Sequence, residues 1–358
     1  MKDIGILKLL CETTGVTGHE KDISFIVKNI FEKFCNEVRV DDHYNVIGVM
    51  KAKLKDDGAL RDGKALRLLY TAHMDEIGMV VTEVATGGFV KITKIAGVDP
   101  KTLVAKKVII HTTTGNIKGI VASVPPHLTD PEERNKALLF EELYVDTGLP
   151  EEEVREKIAT GDIVSYAPSF ETQGVHMVSG KALDDRAGVF TLIKTMQILK
   201  ERTFSFDILF LAAVSEEFNS LGAMTGAWKL EPDLCVVVDA THARAGIGEQ
   251  ADVQLHTLGK GPVICRSPIL SSRLTKSVIE ICKEKGWKPQ IEVDNKDTGT
   301  DAFAASVARG GCATALISLP TKYMHTQVEM MHLGDIEATA EVLAELVMQS
   351  SAQIRGYL

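Results

Sequence analysis

Acidic pairs and single histidines recur beside apolar segments, and together they have the composition of a divalent-metal site. Asp184-Asp185 stands just before a helical apolar pattern, and Glu216-Glu217 follows a nearly continuous apolar segment. Histidine and carboxylate ligands without cysteine suit zinc, cobalt or manganese better than a structural thiolate site. A hydrolytic site also needs a water and a base beside the metal. The residue types therefore indicate metal-assisted hydrolysis.

The elements predicted around these residues would bring them together. In open α/β sheets, ligand sites lie beyond the carboxyl ends of the strands. The N-terminus of a helix favours anions, because its backbone N–H groups and dipole point toward them. The candidates are His73 after the strand 65–72, Asp184 before a helix, Glu216 and Glu217 after the strand 206–214, Asp239 after the strand 234–238, and His325 after the strand 313–319.

Each candidate also has a purely structural interpretation. An isolated His73 would more often be a satisfied histidine at a strand end. Asp75 favours a ligand instead, because at this spacing it can hydrogen-bond the far ring nitrogen of a metal-bound histidine. Glu216 and Glu217 could be solvated residues at a helix start. If they continue the strand, their side chains face opposite sides, so one could bind metal and the other act as base.

Two choices stay open on spacing alone. Asp185 stands next to Arg186 and could form only an ion pair with it. His325 has a rival ligand in His332. Residue type and position do not separate the members of either pair.

Composition limits the classes of protein. The chain has 358 residues, of which 45% are hydrophobic and 25% charged, which is typical of a globular protein of two domains. A net charge of -9 disfavours nucleic acid as a partner. The six cysteines form no CxxC motif and indicate free thiols in a reducing compartment. The N-terminus is a poor signal peptide, and no apolar run reaches the roughly 20 residues of a membrane span. These features predict a cytoplasmic protein.

The order of element types predicts an insertion. Helical and strand patterns alternate up to residue 75 and again from residue 168. The intervening segment contains short strands punctuated by glycine pairs and turns. We therefore predict an α/β catalytic domain formed by 1–75 and 168–358, with an inserted β-rich domain at 76–167.

Several helix starts carry local signals. Thr17 and Glu20 fit a capping box for a helix that continues to about Cys35. The helix after Asp184-Asp185 is predicted to be amphipathic, and Asp335 is placed to cap the last helix.

Six motifs, in order, carry a family resemblance. They are AHMDEIG (72–78), GKALDDRAG (180–188), VSEE with LGA (214–217 and 221–223), VVVDAT (236–241), GTDA (299–302) and YMHTQVE (323–329). Together they resemble the M42 metallo-aminopeptidases, the group of glutamyl and tetrahedral aminopeptidases. The resemblance implies a zinc-peptidase-like catalytic domain with a mixed sheet flanked by helices, and a PDZ-like or barrel-like insertion that mediates dimerisation.

The resemblance also implies residue roles and partners. It favours His325 over His332, because His325 follows Tyr-Met. The loop 299–301 (Gly299, Thr300 and Asp301) would line the substrate pocket. Peptides would be the substrates, and dimers would assemble into twelve-subunit shells. The resemblance implies two divalent ions, Zn²⁺ or Co²⁺ first and Mn²⁺ as a further candidate. One ion would be held by His73, Asp184 and Asp239, and the other by Asp184, Glu217 and His325. Glu216 would be the general base, and Asp75 would orient His73.

Three rival functions stay open. A deacylase or carboxypeptidase of a related di-metal family would keep the ligands and change the scissile bond. A glycosidase of the endoglucanase type would use a carboxylate pair, but its two carboxyl groups must flank a bond roughly 5–9.5 Å apart. A binding or scaffold shell with a silenced site would be no enzyme at all. The sequence favours an aminopeptidase over these three.

Overall fold

The computed structural model describes residues 3–53, 60–61, 64–124, 126–128, 138–244, 255–349, 353–354 and 356–357. The strands are β1 (Glu37–Val40), β2 (Val46–Met50), β3 (Leu60–Arg61), β4 (Lys64–Ala65), β5 (Arg67–His73), β6 (Gly78–Val84), β7 (Val90–Ile95), β8 (Lys107–Thr112), β9 (Gly115–Ala122), β10 (Tyr144–Asp146), β11 (Ile163–Tyr166), β12 (Glu171–Gln173), β13 (Met177–Gly180), β14 (Asp207–Ala213), β15 (Leu234–His242), β16 (Val263–Arg266), β17 (Gln290–Val293), β18 (Ala313–Thr321) and β19 (Glu329–His332). The helices are α1 (Ile4–Glu12), α2 (Lys21–Phe31), α3 (Glu151–Lys157), α4 (Leu183–Lys200), α5 (Glu216–Asn219), α6 (Leu221–Leu230), α7 (Ser272–Glu284), α8 (Asp301–Ser306) and α9 (Leu333–Val347).

Eight strands form a mixed central sheet in the order β1-β2-β14-β5-β15-β18-β16-β17. The four middle strands, β14, β5, β15 and β18, are parallel to one another. β2 runs antiparallel to β14, and β16 runs antiparallel to β18. The α/β fold with a mixed sheet and flanking helices is thus confirmed. Because the middle strands are parallel, their carboxyl ends lie along one edge of the sheet.

Alternation along the middle strands produces two apolar cores. Tyr70 and Phe210 face the larger core, and Leu69 and Leu211 face the smaller one. Successive strand residues point to opposite faces, so a strand covered on both sides must be apolar throughout. That requirement explains the uninterrupted apolar pattern of β14. Helices α4 and α9 pack on the first face, and α6 and α8 pack on the second.

Helix α4 is buried around nearly its whole circumference, so the predicted amphipathic pattern is wrong. Five consecutive residues from Val189 to Ile193 are all buried. The helix lies between β5 and β15 on one side and α1 and α9 on the other. This part of the helix is covered on both sides and therefore carries no polar stripe. Polar side chains reach the surface only in the later turns, where Lys194 and Gln197 are half-buried and Lys200 is exposed. Asp184 and Asp185 have non-helical backbone angles, so they precede the regular helix.

The strands between the two parts of the sheet form a closed barrel in the order β10-β7-β6-β11-β8-β9. Pairing of β10 with both β7 and β9 closes it. Its interior is a separate apolar core that includes Met79, Val108 and Val164. The segment that leads into the barrel and the segment that follows it are joined by a buried ion pair, in which Nζ of Lys181 lies 2.7 Å from Oε1 of Glu76.

Two predicted helix caps are wrong, because tertiary contacts recruit the side chains. Helix α2 starts after Glu20, whose carboxylate accepts hydrogen bonds from Gly18 and Ser215. Thr17 donates its hydroxyl to Asp75. Helix α9 is capped by His332, whereas Asp335 accepts N–H bonds from Gly259 and Gly261.

Two general features bear on the surroundings of the protein. All six cysteines are free thiols, four of them buried and two half-buried. None of the helices within the described ranges is both long and apolar enough to cross a membrane.

Candidate metal centre

The carboxyl edge of the sheet collects the predicted ligands. His73 is the last residue of β5, and the short helix α5 begins three residues after β14 ends. Asp239 lies inside β15, which continues to His242 rather than ending before Asp239. His325 follows β18 in a loop with a positive φ of 61°. Asp184 reaches the same place from the start of α4.

Interatomic distances divide the side chains into two groups that share Asp184. Nε2 of His73 lies 3.2 Å from Oδ1 of Asp184 and 3.8 Å from Oδ1 of Asp239. Nε2 of His325 lies 3.5 Å from Oδ2 of Asp184 and 3.2 Å from Oε2 of Glu217. The two oxygens of one carboxylate therefore face two different imidazoles. Ligand atoms about 2.0–2.2 Å from a tetrahedral zinc ion are separated by roughly 3.3–3.6 Å, close to these spacings.

The carboxylate of Asp185 is a further possible ligand in the group of His73 and Asp239. Potential ligand atoms of His73, Asp184 and Glu217 lie within 4.8 Å of one another, and so do those of His73, Asp185 and Asp239. Asp185 accepts the N–H of Gly188 with one oxygen, and its other oxygen is buried without a hydrogen-bond partner. Asp185 thus forms no ion pair at hydrogen-bond distance with Arg186, whose guanidinium donates to backbone carbonyls of Leu10 and Thr13.

Buried polar atoms without partners show that the donor set fits a cation. Within the described ranges, Oδ2 of Asp239 and Oδ2 of Asp185 have no hydrogen-bond partner, and Nδ1 of His73 lies 3.4 Å from Oδ1 of Asp75. Buried polar atoms are normally hydrogen-bonded, and exceptions require a reason such as a bound ion. Carboxylate oxygens and an imidazole nitrogen are the donors that zinc, cobalt and manganese accept.

The pKa directions reflect the same excess of negative charge. Burial favours the neutral imidazole of His325, but Asp184 and Glu217 outweigh it and raise its pKa to about 11. Burial raises the pKa of Glu216 to about 10, and the carboxylate of Asp239 adds to the effect. Carboxyl groups this close cannot all ionise unless positive charge lies between them. Divalent cations bound between the carboxylates would supply that charge.

Glu216 and Glu217 lie in the single turn of α5, so the prediction that they continue a strand is wrong. A helical turn does not send neighbouring side chains to opposite faces, and both carboxylates approach the cluster. Oε2 of Glu216 lies 3.8 Å from Nε2 of His73, without a hydrogen bond. Glu217 faces His325 instead. The two carboxylates therefore contact different halves of the centre.

Asp75 connects His73 to this turn. Its carboxylate accepts the backbone N–H groups of Glu216 at 3.0 Å and of Glu217 at 3.2 Å, and the hydroxyl of Thr17 at 2.7 Å. Asp75 is fully buried. One side chain therefore fixes the position of a candidate ligand and of the acidic turn.

Glu329 was not singled out by the sequence, although it lies in the last motif. Its carboxylate accepts the backbone N–H of Asp184 at 3.0 Å and that of His325 at 2.8 Å. It thereby holds two candidate ligands that are distant in sequence. His332, three residues later, lies away from the cluster and packs its ring 5.4 Å from that of His176.

A cavity of about 770 Å³ opens onto the centre. Gly299 and Thr300 line it, while Asp301 is buried beneath them, with both carboxylate oxygens lacking a hydrogen-bond partner. Burial raises the pKa of Asp301 to about 7. Gly97, from the barrel, also lines the cavity, and a Cβ there would lie only 2.3 Å from Nδ1 of His325. The barrel therefore forms part of the wall, and glycine is required at the point of contact.

Comparisons with known proteins identify relatives that span the whole chain. The M42 glutamyl aminopeptidase family model matches residues 58–342. A lysyl aminopeptidase of Pyrococcus furiosus is 31% identical and covers 97% of both chains. The solved TET aminopeptidase of a marine sediment Thaumarchaeota archaeon has a TM-score of 0.92 at 28% identity, with 100% of this chain and 99% of that chain covered. The TET1 peptidase of Pyrococcus horikoshii, which can assemble into a tetrahedron or a large octahedral shell, has a TM-score of 0.81 at 29% identity over 96% and 98% of the two chains.

Proposed function

Because this chain belongs to the M42 glutamyl aminopeptidase family, we propose that its metal centre hydrolyses the bond after the N-terminal residue of peptides. The chain is a peptide hydrolase of a metal-dependent family. The observation that carries the assignment of the site is the shared carboxylate, since the two oxygens of Asp184 face His73 and His325.

We propose two divalent ions per subunit, zinc or cobalt first and manganese next. His73, Asp184 and Asp239 would hold one ion, and Asp184, Glu217 and His325 the other. The donor atoms fit both positions, as their spacings and the unpartnered oxygen of Asp239 indicate. Bound there, such ions lower the pKa of water and polarise the peptide carbonyl.

Glu216 is proposed as the general base and then the general acid. It accepts the proton of the attacking water and returns it to the leaving amine nitrogen. The geometry supports this role because Oε2 of Glu216 lies 3.8 Å from Nε2 of His73, whereas Oε2 of Glu217 lies 3.2 Å from Nε2 of His325. Asp75 keeps the base in place through the N–H bond of Glu216 and keeps the ring of His73 oriented.

The acidic surroundings support an exopeptidase that acts at the N-terminus. A free α-ammonium group needs a negative partner, and the cavity offers carboxylates beside the proposed metal positions. The loop of Gly299, Thr300 and Asp301 is proposed as part of the wall that receives the substrate. A substrate without a free amine would lose this interaction, which distinguishes an aminopeptidase from a di-metal deacylase.

We propose self-association through the inserted domain at 76–167, with dimers as the unit and a dodecamer as the full assembly. The shells formed by the Pyrococcus horikoshii relative support this. Exposed apolar side chains on the barrel support it as well, among them Ile120, Val124 and Leu128, which are 51%, 65% and 71% exposed. Apolar groups clustered on a surface commonly mark an interface. A cytoplasmic location remains a prediction, supported by the six free thiols.

Matched substrates with free and acetylated N-termini test the proposed activity. Aminoacyl anilides and short peptides would be assayed with chelator and after Zn²⁺, Co²⁺ or Mn²⁺ is restored. We expect metal-dependent cleavage of the free-amine set only. Cleavage of the acetylated set would assign the centre to a deacylase, and hydrolysis of polysaccharide that survives chelation would favour a glycosidase. No cleavage by metal-loaded protein would contradict the proposal.

A further inference from the structure

The cavity continues past the metal centre to a second acidic wall. Glu292, Asp294 and Asp297 line it, and none of them is a proposed ligand. No lysine or arginine occurs among the described residues that line the cavity. The far wall therefore presents negative charge to whatever occupies the space beside the reacting bond.

Strand geometry sets the distance between the two ends of the cavity. Thr241 lies two residues after Asp239 on β15, and its hydroxyl donates to Oε1 of Glu292 at 2.8 Å. Residues two apart on a strand are separated by roughly 6.6 Å. A lysine side chain carries its ammonium group on a four-carbon stem, so it can span this interval. An N-terminal residue held at the metal centre would thus place a basic group at Glu292.

Glu292 is held in its ionised form. Burial alone would raise its pKa, but the nearby ring of His256 and the hydroxyl of Thr241 outweigh burial and lower it. The side chain is 23% exposed, which leaves it reachable from the cavity. Asp294, on the same side of the segment as Glu292, also lines the cavity.

An unpartnered hydroxyl is an independent sign of a missing donor. Ser318 lines the cavity, is only 1% exposed, and its Oγ has no hydrogen-bond partner among the described residues. It pairs with Asp239 in the register of β15 and β18, so the two side chains lie on the same face. A serine oxygen accepts hydrogen bonds from ammonium or guanidinium groups, which have only donors to offer.

Apolar side chains also line the cavity. Leu316, Phe303 and Met324 line the cavity. Lysine and arginine bury their methylene stems against such surface while their charged ends stay polar. The cavity therefore combines carboxylates, apolar side chains and the proposed metal ligands in one lining.

We propose that this cavity selects peptides whose N-terminal residue is lysine or arginine, with Glu292 as the main specificity-determining residue. This inference rests on the proposed aminopeptidase function, and it extends that function to a substrate class.

Specificity constants test the inference. The metal-loaded, assembled protein would be assayed on 4-nitroanilides of lysine, arginine, leucine and glutamate with free amines. We expect kcat/KM for the two basic substrates to exceed that for leucine by at least about tenfold, since one charge-assisted hydrogen bond has about this effect. Glutamate should be the poorest substrate. The ratio of lysine to leucine should fall as ionic strength rises.

Variants locate the selectivity. Glu292→Gln should reduce kcat/KM for lysine about tenfold more than for leucine, and Glu292→Lys should favour glutamate over lysine. If Glu292→Lys does not fold, Asp297→Lys replaces it in the test, because Asp297 is exposed. We expect Asp297→Lys also to lower kcat/KM for lysine relative to glutamate. Glu341→Gln removes one negative charge, as Glu292→Gln does, but on the exposed face of α9. It should leave the ratio of lysine to leucine unchanged.

The outcomes separate this inference from the function on which it rests. Hydrolysis of free-amine substrates with leucine or glutamate preferred would overturn the inference and leave the aminopeptidase intact. A lysine preference that Glu292→Gln does not reduce would also overturn it. Failure to hydrolyse any member of the panel would remove both.

Discussion

The roles of the adjacent glutamates depend on what each carboxylate faces. Oε2 of Glu217 lies 3.2 Å from Nε2 of His325, close to the spacing expected of two ligands on one ion. Oε2 of Glu216 lies 3.8 Å from the ring of His73 and makes no hydrogen bond to it. A base must exchange a proton during each turnover, so it needs a carboxylate that no metal neutralises fully. We therefore assign ligand and base to different members of the pair.

Glu216→Gln should nearly abolish turnover and keep the metals. The amide has the size of the carboxylate but cannot accept the proton, and general acid–base catalysis contributes roughly 10²–10⁴-fold to rate. Metal content, measured by atomic emission, should match that of the unmodified protein. Glu217→Gln is the matched control and should lose metal as well as rate. Near-normal kcat in Glu216→Gln would contradict the assigned role.

Asp75→Asn should weaken metal binding about 10–100-fold, as loss of the partner of a metal-bound histidine generally does. The amide also places an N–H donor against the backbone N–H groups of Glu216 and Glu217. Competition with a chelator measures the affinity. Asp22→Asn, an exposed acidic position in α2, serves as control. An affinity within twofold of the unmodified protein would show that Asp75 has no part in positioning.

The sequence located most of this cluster for a physical reason. His73 and the glutamate pair follow buried strands, and parallel strands end at one edge, so their meeting is implied by topology. Glu329 could not be found this way. Its carboxylate binds the main chain of Asp184 and His325, and no local pattern records which backbone groups a distant acid will reach. The residue types were informative about the ligands and about Asp75 beside His73, but they gave no sign of the role of Glu329.

At the scale of elements, the ion pair of Lys181 with Glu76 joins the two chain segments that connect the barrel to the sheet. Both side chains are buried, and Glu76 also accepts the N–H of Gly15. A buried pair contributes little net stability when intact, but an orphaned partner is costly.

Lys181→Met should therefore reduce the free energy of unfolding by about 3–5 kcal/mol. The change leaves the Glu76 carboxylate buried without its cation. The double variant Lys181→Met with Glu76→Gln should recover most of the loss, because the amide oxygen still accepts from Gly15. Urea titration followed by circular dichroism provides the measurement. Equal stability of the single and double variants would show that the pair is not coupled.

Element boundaries show where sequence reasoning fails. Apolar segments predicted the four parallel strands in the middle of the sheet closely, because those strands are buried on both faces, whereas β16 and β17 at its edge were not predicted. Helix caps were predicted poorly. Thr17 and Asp335 have the right chemistry for caps, but each is used by another part of the molecule. The pattern of α4 was misjudged because burial on all sides depends on neighbours that are far away in sequence.

At the scale of the whole molecule, the barrel contacts the proposed metal centre on one side and exposes apolar side chains elsewhere. One side places Gly97 against His325, and other positions expose apolar side chains to solvent. Assembly through the exposed side would leave the contact with the metal centre in place. Composition could suggest an insertion, but it could not show that the insertion completes the wall of the cavity.

Ile120→Arg should reduce the size of the assembly. A charge placed at a buried apolar contact is costly unless paired, and Ile120 is an exposed residue of β9. Sedimentation at micromolar concentration should show smaller species than the unmodified protein forms. Leu9→Arg, an equally drastic change on α1 outside the barrel, should leave the assembly intact. Unchanged sedimentation of Ile120→Arg would place the interface elsewhere.

The proposed metal ligands lie far apart in the sequence, and this has a consequence for biosynthesis. His73 leaves the ribosome early, whereas Asp239 and His325 follow only after the barrel and most of the sheet. Domains generally fold as the nascent chain emerges, so the barrel can form while the proposed ligand set is still incomplete. An interrupted translation product that ends before His325 lacks one of these ligands. On this assignment, hydrolysis begins only after His325 has been synthesised, and copies interrupted before it cannot trim the polypeptides being made around them.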